Sequence, residues 1–289
     1  MNPATTLREP GWFARLMRLC WRRKAASAGA LITLLMILIA VFAPWIAPHD
    51  PNEQDILSRM AGPSAEFLLG NDTYGRDILS RIIWGARISL FIGVTSIALA
   101  MVVGGVLGIL AGYYGGKTDR IIMAFMDMLL SFPSLVMGLI VVAVLGPTTL
   151  NLIIAIAFTA IAPFARISRA PTLAVKQRDF IEAGRALGYS DLRIMALHVL
   201  PNIMDEIMVL ASLWLATAIR TEASLSFIGL GVRPPTASWG GMIRDGFESM
   251  LDAPGLVIYP SIAILIIMVA LNLLGDGLRD ATDPKLRHE

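Results

Sequence analysis

Hydrophobic residues in this chain gather into long runs instead of alternating with polar ones. The runs cover residues 28–46, 88–111, 121–145, 150–164, 203–218 and 256–274. A helix rising 1.5 Å per residue needs about 20 apolar residues to cross a bilayer, so most runs suffice and the fourth and fifth need a few flanking residues. The pattern predicts an all-α integral membrane protein with six transmembrane helices. The first run is longer than the apolar part of a signal peptide and lacks a small-x-small cleavage site, so it reads as a retained span. Before it, Phe13, Leu16, Met17 and Cys20 interleave with Arg15, Arg18, Arg22 and Arg23. That stretch reads equally as a helix lying in the membrane interface or as a basic flank that orients the first span.

One polar interval lies between the fourth and fifth runs. Residues 179–202 read DFIEAGRALGYSDLRIMALHVLPN and predict a bent pair of short helices at a membrane surface. Asp179 is placed to N-cap a helix over 180–187, and Gly188 to supply the left-handed residue that ends it. Ser190 or Asp191 then caps a second helix, expected to be interrupted at Pro201. At helical spacing Phe180, Ala183, Gly184 and Leu187 share a face suited to the protein itself. Glu182 and Arg185 share another, free to meet something in solution.

Composition narrows the picture. Of 289 residues, 56% are hydrophobic and 16% charged, and mean hydropathy is +0.68, which excludes an ordinary soluble domain. The single cysteine, Cys20, permits no intrachain disulfide, and His49, His198 and His288 are too dispersed to suggest a metal site. Residues 111–118, AGYYGGKT, fall one glycine short of a phosphate-binding loop and follow a membrane helix, not a strand, so ATP is not expected to bind there. Net charge is only +2, but its distribution is uneven. One set of connections holds Arg59, Arg76, Arg81, Arg87, Arg233 and Arg244, and nearly all other basic residues fall on the opposite side. The positive-inside rule then places both termini and residues 179–202 in the cytoplasm.

Two features within the runs remain. Gly104, Gly108 and Gly112 form a small-residue row that lets another helix approach closely and implies a protein neighbour, not lipid. Asp127, about two turns in from the cytoplasmic end of its run, should face protein or water. Arg120, Arg166 and Arg169 are its available partners, and a structural ion pair is favoured over a proton relay.

Several blocks carry a family resemblance. Glu182-Ala183-Gly184, Gly188 and Leu200-Pro201 resemble the EAA loop of permease subunits in binding-protein-dependent ABC importers, with Gly184 for an alanine and His198 for an isoleucine. Leu69-Gly70-Asn71-Asp72-Thr73-Tyr74-Gly75-Arg76-Asp77, then Ser80-Arg81 and Gly85-Ala86-Arg87, resemble an external block of the dipeptide and oligopeptide branch, Asn71 replacing a threonine. Glu222 through Gly231, Pro234-Pro235, Ser238-Trp239-Gly240 and Met242 resemble a second block, with Ile228 for leucine. Asp127 with Phe132-Pro133, and residues 272–287, are similar to further family patterns.

The resemblance covers about residues 70–287 and identifies the chain as a C-type permease subunit of that branch. It implies the type I importer fold with a cytoplasmic coupling helix, divided as a 1–27 tail, 28–87 first span and external loop, 88–278 core and 279–289 tail. It implies translocation of dipeptides or oligopeptides by alternating access across the bacterial inner membrane. The implied partners are a homologous B-type permease, two ATP-binding subunits that hold the ATP and Mg, an extracytoplasmic peptide-binding protein and lipid. No cofactor in this chain and no nucleic acid are expected. By the same resemblance Glu182, Ala183, Gly184, Arg185 and Gly188 couple to the ATPase, and Asp127 with Arg166 forms a gate or structural ion pair. Asp72, Gly75, Arg76, Asp77 and Trp239 belong to the external motifs, where bracing a loop is favoured over touching substrate. The rival readings are a self-sufficient secondary transporter or channel and a membrane enzyme. The spans offer them little: Asp127, Arg220 with Glu222 at a boundary, and no detectable repeat.

Overall fold

The computed structural model describes residues 24–282, so the interfacial stretch 12–23 and the basic ending 283–287 lie outside it. Among the described residues the regular elements are helices: α1 Lys24–Val41, α2 Ala43–Ile46, α3 Ile78–Tyr114, α4 Gly116–Leu130, α5 Ser134–Leu145, α6 Thr149–Val175, α7 Asp179–Ala186, α8 Asp191–Ile194, α9 Leu200–Ile228, α10 Trp239–Phe247 and α11 Gly255–Thr282. Five helical stretches among the described residues are long and apolar enough to cross a membrane, and the α4–α5 pair makes a sixth if taken together. Residues 47–77 and 229–254 gather at one end of the bundle, the loop end. Residues 179–202 lie at the other, the island end.

Prolines reshape the expected spans, with different outcomes. The run 121–145 is no straight helix, because α4 and α5 meet at 94°. Pro133 cannot donate a backbone N–H and disfavours the helical conformation at Phe132, so α4 stops and α5 restarts beyond the proline. The first run breaks similarly beside Pro44, where α1 gives way to α2. Pro201, expected to interrupt its helix, does not. The path from Asp191 to Ile228 is continuous, because a π turn over Met195–Val199 precedes the proline and Leu200 donates to the Met195 carbonyl. That wider turn accommodates the missing N–H and the ring. The side-chain amide of Asn202 donates to the His198 carbonyl at 2.7 Å. The same helix passes Ala218, its expected end, so Glu222 lies within it.

α3 has 37 residues, or about 55 Å at 1.5 Å per residue, well beyond the roughly 30 Å of hydrocarbon. Its polar residues Ser80, Arg81 and Ser89 are buried within the protein. The glycine row finds its neighbour inside the chain. A Cβ on Gly104, Gly108 or Gly112 would lie 2.4, 2.2 or 2.8 Å from the carbonyl oxygens of Ile161, Ala165 and Arg169 on α6. Gly29 plays the same part for α1, since a Cβ there would meet the Ala270 oxygen of α11 at 2.7 Å.

Two large apolar cores result, besides a small cluster of Met126, Ala162 and Ala165 between α4 and α6. One joins α3, α5, α6 and α9 around Ile92, Phe164 and Leu225 and extends to Ile181, Ile194 and Val199 of the island. The other joins α1, the outer part of α3, α9, α10 and α11 around Trp239, Ile219 and Ile267. Outside them Leu31, Leu34, Val136, Val144, Leu265 and Val269 point outward, an exterior fit for lipid or another helical subunit.

Candidate functional site

The island begins with α7. Arg178, not Asp179, takes the N-cap position, and Asp179 is the first helical residue, where its carboxylate favours the positive end of the helix. At the far end Gly188 has φ +77°. Its N–H donates to Arg185 O at 2.9 Å, and the Tyr189 N–H to Gly184 O at 3.0 Å. These two bonds form a Schellman cap. Ser190 caps α8, its hydroxyl accepting from the Arg193 N–H at 3.3 Å.

The faces of α7 differ from the expected ones. Ile181 and Gly184, three apart, turn inward and are buried, whereas Phe180, Ala183 and Leu187 are exposed, Leu187 by 72%. A Cβ on Gly184 would sit 3.3 Å from the Tyr189 ring, so the glycine lies on the inner seam. Glu182 joins the outward apolar face. Arg185 leans back, its guanidinium carbon 5.4 Å from the centre of the Tyr113 ring. A hydrogen bond with Tyr113 raises the Arg185 pKa above its ordinary value.

Sequence reasoning did not single out Tyr113, and it named Asp191 only as a possible helix cap. Tyr113, near the end of α3, is buried, and its hydroxyl donates to Asp191 Oδ1 at 2.7 Å. Beside it Tyr189 stacks on His198 with ring centres 5.8 Å apart, and Arg193 lies 4.1 Å from the Tyr189 ring centre.

At the island end of α6 two ion pairs reach α4. Arg166 donates to Asp127 at 2.5 Å, with both side chains more than half exposed. Arg169 makes two bonds to Asp119, at 2.5 Å each, in a more sheltered position. Arg169, a candidate partner for Asp127, is thus taken by Asp119.

The loop end is built differently. Asp72 accepts from the backbone N–H of Tyr74 at 2.8 Å and of Arg76 at 3.0 Å, and from Arg76 Nε at 2.7 Å. Arg76 also reaches Asp245 at 3.3 Å, and Arg81 Nε lies 3.5 Å from Asp72. Arg81 Nη1 donates to the Pro51 and Pro235 carbonyls. Asp77 caps α3, accepting from Leu79 N, Ser80 N and the Ser80 hydroxyl. Gly75, at φ +78°, could carry no side chain, since a Cβ would fall 1.8 Å from Asp55 O. Trp239 is fully buried, its Nε1 donating to Ile82 O at 3.0 Å. Glu222 is fully buried too and accepts from the Ser89 hydroxyl of α3 at 2.9 Å and the Ser226 hydroxyl at 2.7 Å. No group of three or more His, Cys, Asp or Glu suited to a metal occurs among the described residues.

The model of the family described as binding-protein-dependent transport system inner membrane component matches residues 104–288, well over half the chain. The chain belongs to that family. A second model, the N-terminal TM domain of oligopeptide transport permease C, matches residues 13–63 of the permease. The permease is 44% identical over 271 residues to the di/tripeptide transport system permease protein DppC of Pseudomonas aeruginosa, covering 92% of this chain and 89% of the relative. It is 44% identical over 272 residues to the glutathione transport system permease protein GsiD of Pectobacterium atrosepticum, covering 92% and 90%. Among solved structures, the inward-facing MetNI methionine ABC transporter is similar at TM-score 0.56 and 18% identity, covering 70% of the permease and 96% of that chain. That likeness shows the fold. The two family models and the relatives together show that the chain is an ABC importer permease of the C type.

Proposed function

We propose that the permease carries dipeptides or oligopeptides across the bacterial inner membrane as one of two transmembrane subunits, its partner a homologous B-type permease. Its termini and residues 179–202 face the cytoplasm, where two ATP-binding subunits, which hold the ATP and Mg, dock on α7 of this chain and its counterpart. An extracytoplasmic binding protein delivers the peptide at the loop end. The observation that supports this reading best is the outward face of α7: Phe180, Ala183 and Leu187 are apolar and exposed beside Glu182 at an end rich in basic residues. An apolar surface flanked by charge suits a cleft in a soluble protein.

In this reading ATP binding draws the ATPase pair together, α7 and α8 move with it, and the two permeases open outward to receive peptide. Asp127 and Arg166 form the gate pair of this subunit. An ion pair so exposed is unfavourable against lipid, which supports a place beside a water-filled path or the partner permease. The relatives named above carry di/tripeptides and glutathione, cargo that shares peptide bonds and free carboxylates, so a short peptide is the assigned substrate class.

The test is Leu187→Asp in the complete importer reconstituted in vesicles. The variant chain should melt as the wild type does, because the side chain touches little of its own protein. It should fail to retain the ATPase subunits on purification and should take up no labelled dipeptide. Wild-type uptake by the variant would sink the docking assignment, and uptake by the lone permease would sink the importer reading.

A further inference from the structure

Within the proposed function, Tyr113 occupies a position that the motifs do not explain. Its side chain meets three segments at once. The hydroxyl bonds Asp191 at the start of α8, the Arg185 guanidinium of α7 lies beside the ring, and the Lys176 ammonium, just past α6, is 5.8 Å from the ring centre. Tyr113 belongs to the same apolar core as Ile181, Ile194 and Val199 of the island. Apolar contacts are non-directional and allow sliding, whereas a hydrogen bond to a carboxylate fixes distance and angle.

The helix that carries Tyr113 is also anchored at its far end. α3 is capped by Asp77, held through Arg81 to the outer loops and joined to α9 by the Ser89–Glu222 bond. No proline or helix break interrupts it between those anchors and Tyr113. A continuous α-helix is stiff, so a push at its island end tilts it as one body about the anchored end. We infer that Tyr113 is a positioning residue for transport: it is the strut by which displacement of α7 and α8 is delivered to α3. This inference rests on the coupling role proposed above.

The experiment uses the complete importer in vesicles, with binding protein and a labelled dipeptide. Tyr113→Phe keeps the ring and removes only the hydroxyl. Assembled complex should form in normal amounts and ATP hydrolysis should persist, while dipeptide taken up per ATP falls about tenfold, the effect of losing one hydrogen bond to a charged acceptor. Asp191→Ala should also lower uptake per ATP, and the double variant should lose no more than Tyr113→Phe alone, because both single variants remove the bond between Tyr113 and Asp191. Unchanged uptake per ATP in Tyr113→Phe would overturn the strut. So would additive losses in the double variant, or a loss matched by a fall in assembled complex, either of which makes Tyr113 a core anchor only. A wild-type complex that hydrolyses ATP yet takes up no dipeptide would instead refute the proposed function, and is read before any variant is compared.

Discussion

At the loop end Asp72, Arg76, Asp77 and Arg81 are each less than a tenth exposed, and their polar atoms are spent largely on one another, on Ser80 and Asp245, and on nearby backbone. At the island end the Arg166–Asp127 pair is open to the outside and α7 shows an apolar face. Buried charges cost several kcal/mol each to desolvate and are tolerable only with many good partners, and once assembled they are expensive to disturb. Exposed pairs contribute about 0–1 kcal/mol and can be broken and remade. The loop end therefore has the physics of a frame, and the island end that of moving parts. A dense sequence motif can mark a brace as readily as a contact.

The largest effect that could break this comparison is at Trp239. Trp239→Ala should cost about 3–5 kcal/mol, the usual range for emptying a buried aromatic site, read as a fall in the melting temperature of the solubilised permease. Lost uptake with unchanged melting would mean that the loop end touches substrate after all. An intermediate effect is expected at Gly188, where a β-branched side chain is strained at φ +77°. Gly188→Val should cost about 1–2 kcal/mol locally, with no clash, since nothing lies within 4 Å of the position of its Cβ. It should uncouple ATP hydrolysis from uptake while the subunit remains in the membrane, and wild-type coupling in that variant would remove the bend from the mechanism. The smallest change in stability is expected for Asp127→Asn, at most about 1 kcal/mol. Uptake should slow but remain ATP-dependent, and a steep dependence of wild-type uptake on the proton gradient would favour a relay over an ion pair.

The spans were legible because each needs a long apolar run, and the Gly188 cap because a glycine follows a short amphipathic helix. The orientation of α7 was not. Phe180, Ile181, Ala183 and Leu187 spread apolar character around most of a short helix, so spacing alone could not say which face turns inward. That was decided by Ile181 packing into the same core as Val175 and Ile194. The effect of each proline was hidden for a similar reason. Pro133 ends a helix and Pro201 does not, and the π turn that precedes the second has no local pattern that announces it. The contact of Tyr113 with Asp191 joins residues far apart in the chain, and neither has a local pattern that announces the other.

The π turn also sets a phase. Successive residues of an α-helix are turned by about 100°, and a π turn admits one residue more than the regular winding would. Asp191 precedes this turn and Glu222 follows it, yet both point at α3, one to Tyr113 and one to Ser89. Removing a single residue between them would rotate one partner about 100° away whenever the other was aligned. The number of residues in Met195–Val199 is thus a stricter constraint than their identity, and the segment works as a spacer whose length keeps two distant bonds to one helix simultaneously possible.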